Sequence, residues 1–156
     1  MYEATLAETA ELFGAYLDGA HSGIVAVVSA RPLESRARTA LENSAATLGY
    51  GRACCTYVTL RKTSAVEGAP NDIPLDGQAL FLLMEGLDPL VVVATDAEAT
   101  RALGEAYRQE VPLDAPCRLF GRDAVAFASF ESQLDDVQSK QAAWALLKKL
   151  PKFGEH

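Results

Sequence analysis

Histidine and cysteine are scarce in this chain, which has two histidines and three cysteines among its 156 residues. Cys54 and Cys55 are adjacent, Cys117 stands alone, and no C-x-x-C pair occurs. The sequence therefore indicates neither a disulfide framework nor a zinc or redox motif. We interpret Cys54 and Cys55 as small buried hydrophobes within a strand. Since His21 and His156 have no second ligand at metal-binding spacing, the sequence predicts no metal and no cofactor.

Long apolar runs and an excess of positive charge are also lacking. The apolar runs are strand-length, far short of the roughly 20 residues that span a bilayer. Residues 1–11 are acidic and lack the order of a signal peptide, so we expect a cytoplasmic location and no membrane partner. The net charge of −7 disfavours a non-specific nucleic-acid binder. Residues 31–62, where basic side chains outnumber acidic ones, are the local exception.

The most informative stretch is Leu90-Val91-Val92-Val93-Ala94, a short apolar run rich in β-branched residues. Such a run predicts a strand buried on both faces, as in a parallel sheet. Thr95 and Glu98 have capping-box spacing, so a helix is predicted to begin directly after the strand. Strand, tight turn and capped helix form half of a βαβ unit.

The rest of the chain repeats this alternation. Apolar periodicity and Gly or Pro breaks predict helices over 2–18, 34–48, 76–85, 97–109 and 137–150, and further strands over 24–28, 53–60, 117–120 and 124–128. Residues 61–74 and 129–136 are predicted loops. Because 49% of the residues are hydrophobic, we expect a single α/β domain over 1–156. It is expected to have an N-terminal helix in 1–20 and a core over 24–150.

This order predicts a three-layer α/β/α sandwich with a mostly parallel sheet of about four strands. Right-handed crossovers leave few topologies, of which we favour strand order 2-1-3-4. Ligands of such sheets bind at the carboxyl ends of the strands.

Three stretches resemble the uracil-DNA glycosylase superfamily. The segment Leu90 to Ala99 is similar to that family's central strand, turn and helix. Residues 24–60 resemble its first two strands and the long helix between them. Residues 129–148, with Lys140 and the Ala143-Trp144 pair, resemble its last motif region. The resemblance implies a uracil-DNA glycosylase-like α/β/α core and, as the family activity, excision of bases from DNA.

The catalytic residues that the resemblance implies are missing. Ser29-Ala30-Arg31-Pro32-Leu33 stands where the family has its water-handling loop and keeps only the proline. Leu60 replaces the asparagine that ends the second strand, and Ser129-Phe130-Glu131 replaces a His-Pro-Ser motif. Three cysteines cannot supply the four that hold an iron-sulfur cluster in some members. Because base excision needs charge stabilisation and an oriented water, we expect no base excision.

A further resemblance is to the psi subunit of the bacterial DNA polymerase III clamp loader, in layout and in the final strand-helix segment. That family has no catalytic residues and works by protein–protein contact. It implies a protein partner within a replication or repair assembly.

The candidate binding residues all lie at predicted strand ends: Ser29, Arg31, Pro32, Glu34, Arg61, Lys62, Ser129 and Glu131. Each group has two interpretations. The basic members either contact phosphate or are solvated loop charge. Ser129 and Glu131 either form a polar acid–base pocket with Glu34 or belong to a loop that caps the last helix, where Asp135 or Asp136 is the predicted N-cap. Ser29 lacks a G-x-S-x-G context and an activating histidine, so it is not a nucleophile candidate. Trp144 is interpreted as core.

Three hypotheses for function follow. The first is a catalytically degenerate glycosylase-like domain, not active in base excision, that retains nucleic-acid or small-ligand binding. The alternative is a non-catalytic protein-interaction subunit with an exposed apolar patch on an outer helix, for which we consider the first helix. The third is an active enzyme on an unrelated small substrate, because one fold hosts many chemistries.

Overall fold

The structure is a computed structural model, and it describes residues 8–9, 11–20, 24–61 and 74–151. After helical backbone at 8–9 and 11–13, the elements are a 3-10 helix (Gly14–Tyr16), β1 (Leu17–Gly19), β2 (Val25–Ser29), α1 (Ser35–Thr47), β3 (Cys55–Thr59), α2 (Gly77–Leu87), β4 (Val91–Ala94), α3 (Ala97–Tyr107), β5 (Pro116–Leu119), β6 (Arg122–Ala126), α4 (Phe130–Gln133) and α5 (Val137–Leu147).

One sheet runs through the molecule in the order β1-β3-β2-β4-β6-β5. The four central strands are parallel, and β1 and β5 pair antiparallel at the two edges. The predicted α/β class is therefore confirmed, and the central strands follow the predicted order 2-1-3-4. The expected count of about four strands is wrong, because two short antiparallel strands extend the sheet to six in the part of the chain that the structure describes.

Both faces of the central strands are buried, which is why β4 is apolar throughout and β2 is apolar up to its last residue, Ser29. On one face Val25 and Val27 pack with residues of α1 and α5. On the other face Ala26 and Val28 pack with residues of α2 and α3. The helices thus form a layer on each side of the sheet. In the described part of the chain, no helix is long and apolar enough to cross a membrane.

The predicted N-terminal helix is wrong at its carboxyl end. Leu17, which fits the helical stripe, instead begins β1 and pairs with Val58 of β3. Gly19, which was expected to terminate the helix, has φ +83°, and a Cβ there would lie 2.6 Å from the Cys55 carbonyl oxygen. The close approach of β1 to β3 thus requires glycine at this position.

Three further expectations need correction. Asp96, not Thr95, caps α3, because its side chain accepts the Ala99 N–H. The predicted loop over 129–136 contains the short helix α4. Trp144 is only half-buried, although it packs against the core cluster of α1 and α5.

A glycine in α2 sets how closely the N-terminal segment approaches. A Cβ on Gly86 would collide with the side chain of Thr9, which is buried. In a helix interior, alanine is normally more stable than glycine by roughly 0.5–1 kcal/mol. A loss of stability when alanine replaces Gly86 would therefore indicate the collision with Thr9.

We predict that Gly86→Ala lowers the free energy of unfolding by about 1–3 kcal/mol, as expected of overpacking. Gly77→Ala is the matched control, since the nearest atoms to its added Cβ lie at 3.5 Å, and we expect it to leave stability unchanged or slightly higher. Urea unfolding of the two variants is the measurement. Equal effects at the two positions would contradict the close packing of Thr9 on Gly86.

Candidate functional site

The four parallel strands end at one edge of the sheet, here called the carboxyl edge. The loops that leave it begin at Ala30 after β2, Leu60 after β3, Thr95 after β4 and Phe127 after β6. Every predicted candidate residue lies in or next to these loops, and all are described except Lys62, which lies outside the described residues.

Asp96 lies at the centre of this edge and was not among the predicted site residues. Its Oδ1 accepts the Ala99 N–H at 2.7 Å and its Oδ2 accepts the Ala30 N–H at 2.9 Å. Its backbone forms an isolated β-bridge with Ser129. One carboxylate therefore caps α3 and also holds the loop after β2. The sequence signal was an acidic residue directly after a buried strand, at a helix start.

Arg61 is held by an ion pair within this edge. Its Nη1 lies 2.5 Å from the Glu98 Oε2, and its side chain is only 16% exposed. Arg61 also donates a longer hydrogen bond, of 3.5 Å, to the Ala30 carbonyl. Arg31 is exposed and contributes, more weakly, to the positive potential around Glu98. The predicted cluster of cations is therefore partly neutralised by an acidic residue of α3.

The hydrogen bond from Arg61 holds the pKa of the Glu98 carboxyl below its ordinary value of 4.5, against the opposing effect of burial. This carboxylate is charged at neutral pH and committed to Arg61. A phosphate that binds Arg61 would therefore have to compete with the Glu98 carboxylate.

The acidic candidates have structural partners. Glu131 accepts the Glu34 N–H at 2.9 Å through its Oε2, where the chain enters α1. Arg36 donates to the Glu131 carbonyl at 3.3 Å and to Asp135 at 3.0 Å. Glu34 therefore contacts Glu131 through its backbone N–H. The side-chain carboxylate of Glu34 lies 3.7 Å from Arg36. These contacts favour a role in fastening loops over a two-carboxylate acid–base pair.

Of the remaining candidates, the two serines form hydrogen bonds within the protein and the proline is exposed. Ser29 is buried, and its carbonyl accepts the Leu60 N–H at 2.9 Å. Pro32 is exposed. Ser129 caps α4, since its hydroxyl accepts the Ser132 N–H at 3.3 Å and lies 2.9 Å from the Ser132 hydroxyl. The predicted cap of the last helix is confirmed at Asp136, which accepts the Ser139 N–H at 2.7 Å.

An open cavity of about 480 Å³ lies beside Ser129. Phe127 and Leu146 contribute apolar walls, and hydroxyl, amide and carboxylate groups come from Ser132, Gln133 and Asp114. Apart from Ser129, these residues were not predicted. They come from separate loops and helices that only the fold brings together, so no local pattern points to them.

Within the described residues, one group of three side chains has ligand atoms close enough to hold a metal ion, namely Glu42, Cys54 and Cys55. It lies at the start of β3, at the opposite edge of the sheet from the loops described above.

The chain matches no protein-family model and no curated protein.

We predict that Asp96→Ala lowers the free energy of unfolding by about 2 kcal/mol, because it removes a helix cap and a charge-assisted bond to a second loop. Asp76→Ala is the control. Asp76 caps α2 through the Ala79 N–H at 2.7 Å, so we expect a loss of about 1 kcal/mol. Urea unfolding compares them, and a loss in Asp96→Ala no greater than in Asp76→Ala would contradict its second role.

The ion pair predicts a pH dependence. Since folding lowers the pKa of Glu98, its contribution is fully present above the ordinary pKa and is lost as pH falls through the lowered one. The difference in unfolding free energy between the native sequence and Arg61→Gln should therefore shrink from about pH 6 to about pH 3.

Arg36→Gln is the control for this measurement. Arg36 pairs with Asp135, and both side chains are at least half exposed, so its effect should be near zero throughout. An Arg61→Gln difference that stays constant with pH would contradict a charged pair with Glu98.

Proposed function

We propose that this chain is a uracil-DNA glycosylase-like domain with degenerate catalytic motifs that does not excise bases and binds a small polar ligand at the carboxyl edge. The parallel order β3-β2-β4-β6 supports the resemblance. So do the positions of the loops after β2 and β6, which meet at Asp96.

The observation that carries the proposal is the internal fastening of the carboxyl edge. Asp96 holds the Ala30 N–H, Glu98 holds Arg61, and Glu131 holds the Glu34 N–H. Excision needs a group that orients water and a group that stabilises developing charge. These three carboxylates bind the protein's own backbone and side chains instead.

The cavity beside Ser129 supports a small ligand rather than a nucleic-acid strand. Its hydroxyl and amide groups can hydrogen-bond a polar molecule, and Phe127 and Leu146 offer it apolar contact. Asp114 would repel a phosphate. The pairing of Arg61 with Glu98 removes part of the positive charge that binding to a nucleic-acid backbone needs.

A second candidate function, a non-catalytic protein-interaction subunit, is favoured by exposed apolar side chains. Leu12, in the first helical segment, is 76% exposed. Phe120 is 64% exposed and lies with Phe81 and Tyr107 along an open groove of about 580 Å³. Contiguous exposed apolar groups are typical of contact surfaces.

We predict no uracil release from a uracil-containing single-stranded oligonucleotide, because the groups that excision needs are absent from the loops that resemble the family's motifs. Fluorescence anisotropy of the same oligonucleotide across a salt series should show no steep salt dependence. Measurable excision would contradict the degenerate assignment. Saturable binding that weakens steeply with salt, and with Arg31→Ala, would instead support a nucleic-acid role.

Small-ligand binding has a separate test with free uracil as the probe, detected by ligand-observed NMR. Ala142 lines the cavity, so Ala142→Phe should reduce binding at least tenfold. Ala145→Phe is the control, because Ala145 is an exposed residue of the same helix and is not part of the cavity lining. No uracil binding by the native sequence would refute this ligand class and direct the search to protein partners.

A further inference from the structure

A second cluster of reactive groups lies at the start of β3, away from the carboxyl edge. The sulfurs of Cys54 and Cys55 and a carboxylate oxygen of Glu42 all lie within 4.8 Å of one another. Cys54 directly precedes β3, Cys55 begins it, and Glu42 lies in α1. We call these three residues the thiol cluster.

The backbone explains how two adjacent cysteines come to share a site. Successive residues of a regular strand point to opposite faces, so a Cys-Cys pair inside a strand would separate its sulfurs. Here Cys54 lies before the strand begins and follows Ala53, whose φ of +49° is left-handed. Both cysteines consequently belong to the core cluster on the same face of the sheet.

Neighbouring groups fix the carboxylate of the thiol cluster. Glu42 accepts the Cys55 N–H at 3.3 Å through Oε1 and the Tyr57 hydroxyl at 3.2 Å through Oε2. The Arg38 guanidinium lies 4.3 Å from the centre of the Tyr57 ring and pairs with Asp18 at 2.8 Å. Hydrogen bonds to a ligating carboxylate of this kind orient it in metal sites.

We propose that Cys54, Cys55 and Glu42 bind a thiophilic divalent metal ion of the Zn²⁺ class. Two sulfurs and one carboxylate oxygen are ligands that zinc accepts, and they leave one position for water or another molecule. A tetrahedral ion about 2.3 Å from each sulfur separates its sulfur ligands by roughly 3.8 Å. Because the two sulfurs lie at most 4.8 Å apart, they need to approach each other by about 1 Å or less.

Metal binding at the thiol cluster has to displace the protons of two buried thiols. Burial, with a smaller effect of Glu42, raises the pKa of the Cys54 and Cys55 thiols. The alternative is a purely structural pair of buried thiols, which would bind no ion at stoichiometric concentration.

The sequence indicates no metal because it lacks C-x-x-C spacing and paired histidines. The third ligand comes from a preceding helix, and an adjacent Cys-Cys pair is not a recognised motif. Only the packing of α1 on β3 brings the carboxylate to the sulfurs.

Cd²⁺ titration of the reduced, metal-free full chain tests the proposal, with thiolate-to-Cd²⁺ charge-transfer absorption as the signal. We expect a band that saturates at one Cd²⁺ per chain and disappears on competition with Zn²⁺. Cys54→Ser and Cys55→Ser should each weaken Cd²⁺ binding at least 100-fold. Glu42→Gln should weaken it about tenfold or more while the thiolate band remains.

Cys117→Ser is the matched control, because Cys117 lies in β5 at the far edge of the sheet and should leave binding unchanged. Circular dichroism checks folding. If Cys55→Ser does not fold, the native stoichiometry together with Cys54→Ser and Cys117→Ser decides the question. The proposal is overturned by absence of the band at equimolar Cd²⁺, by its loss in Cys117→Ser, or by one Cd²⁺ shared between two chains.

Discussion

The carboxylate of Asp96 joins parts of the chain that are far apart in sequence. It holds the Ala30 N–H after β2 and the Ala99 N–H at the start of α3. Both loops leave neighbouring strands, so a single charged group sets their spacing. A carboxylate that accepts two backbone N–H groups is a strong and directional restraint. Glu98, which pairs with Arg61, lies in the first turn of the helix that Asp96 caps.

The amino-acid sequence predicts the centre of this fold well, because its strands are buried on both faces. Val91 to Ala94 and Val25 to Val28 are apolar and rich in valine for that reason. Of the two edge strands, β5 was predicted over 117–120 and lies at Pro116–Leu119, whereas β1 was not predicted. Leu17 fits a helical stripe, and the β1 segment has only three residues, too few for a period of two to emerge. Its pairing with β3 is set by tertiary contact.

The sequence predicted where the candidate residues lie better than it predicted what they contact. Arg61, Glu34 and Glu131 do lie at strand ends, where parallel sheets bind ligands. Their partners could not be predicted, since each partner lies tens of residues away: Glu98 for Arg61, and the Glu34 N–H for Glu131. Local sequence shows which groups reach an edge. It does not show which of them are already satisfied there.

The two short edge strands also limit how this protein can meet others. β1 is three residues long and includes Asp18, and β5 begins at Pro116, which has no N–H to donate. Short strands with charge or proline are poor templates for an added strand. Growth of the sheet through edge-to-edge pairing, and capture of an extended peptide as a seventh strand, are therefore disfavoured. A partner protein would have to engage side chains on the helices and turns.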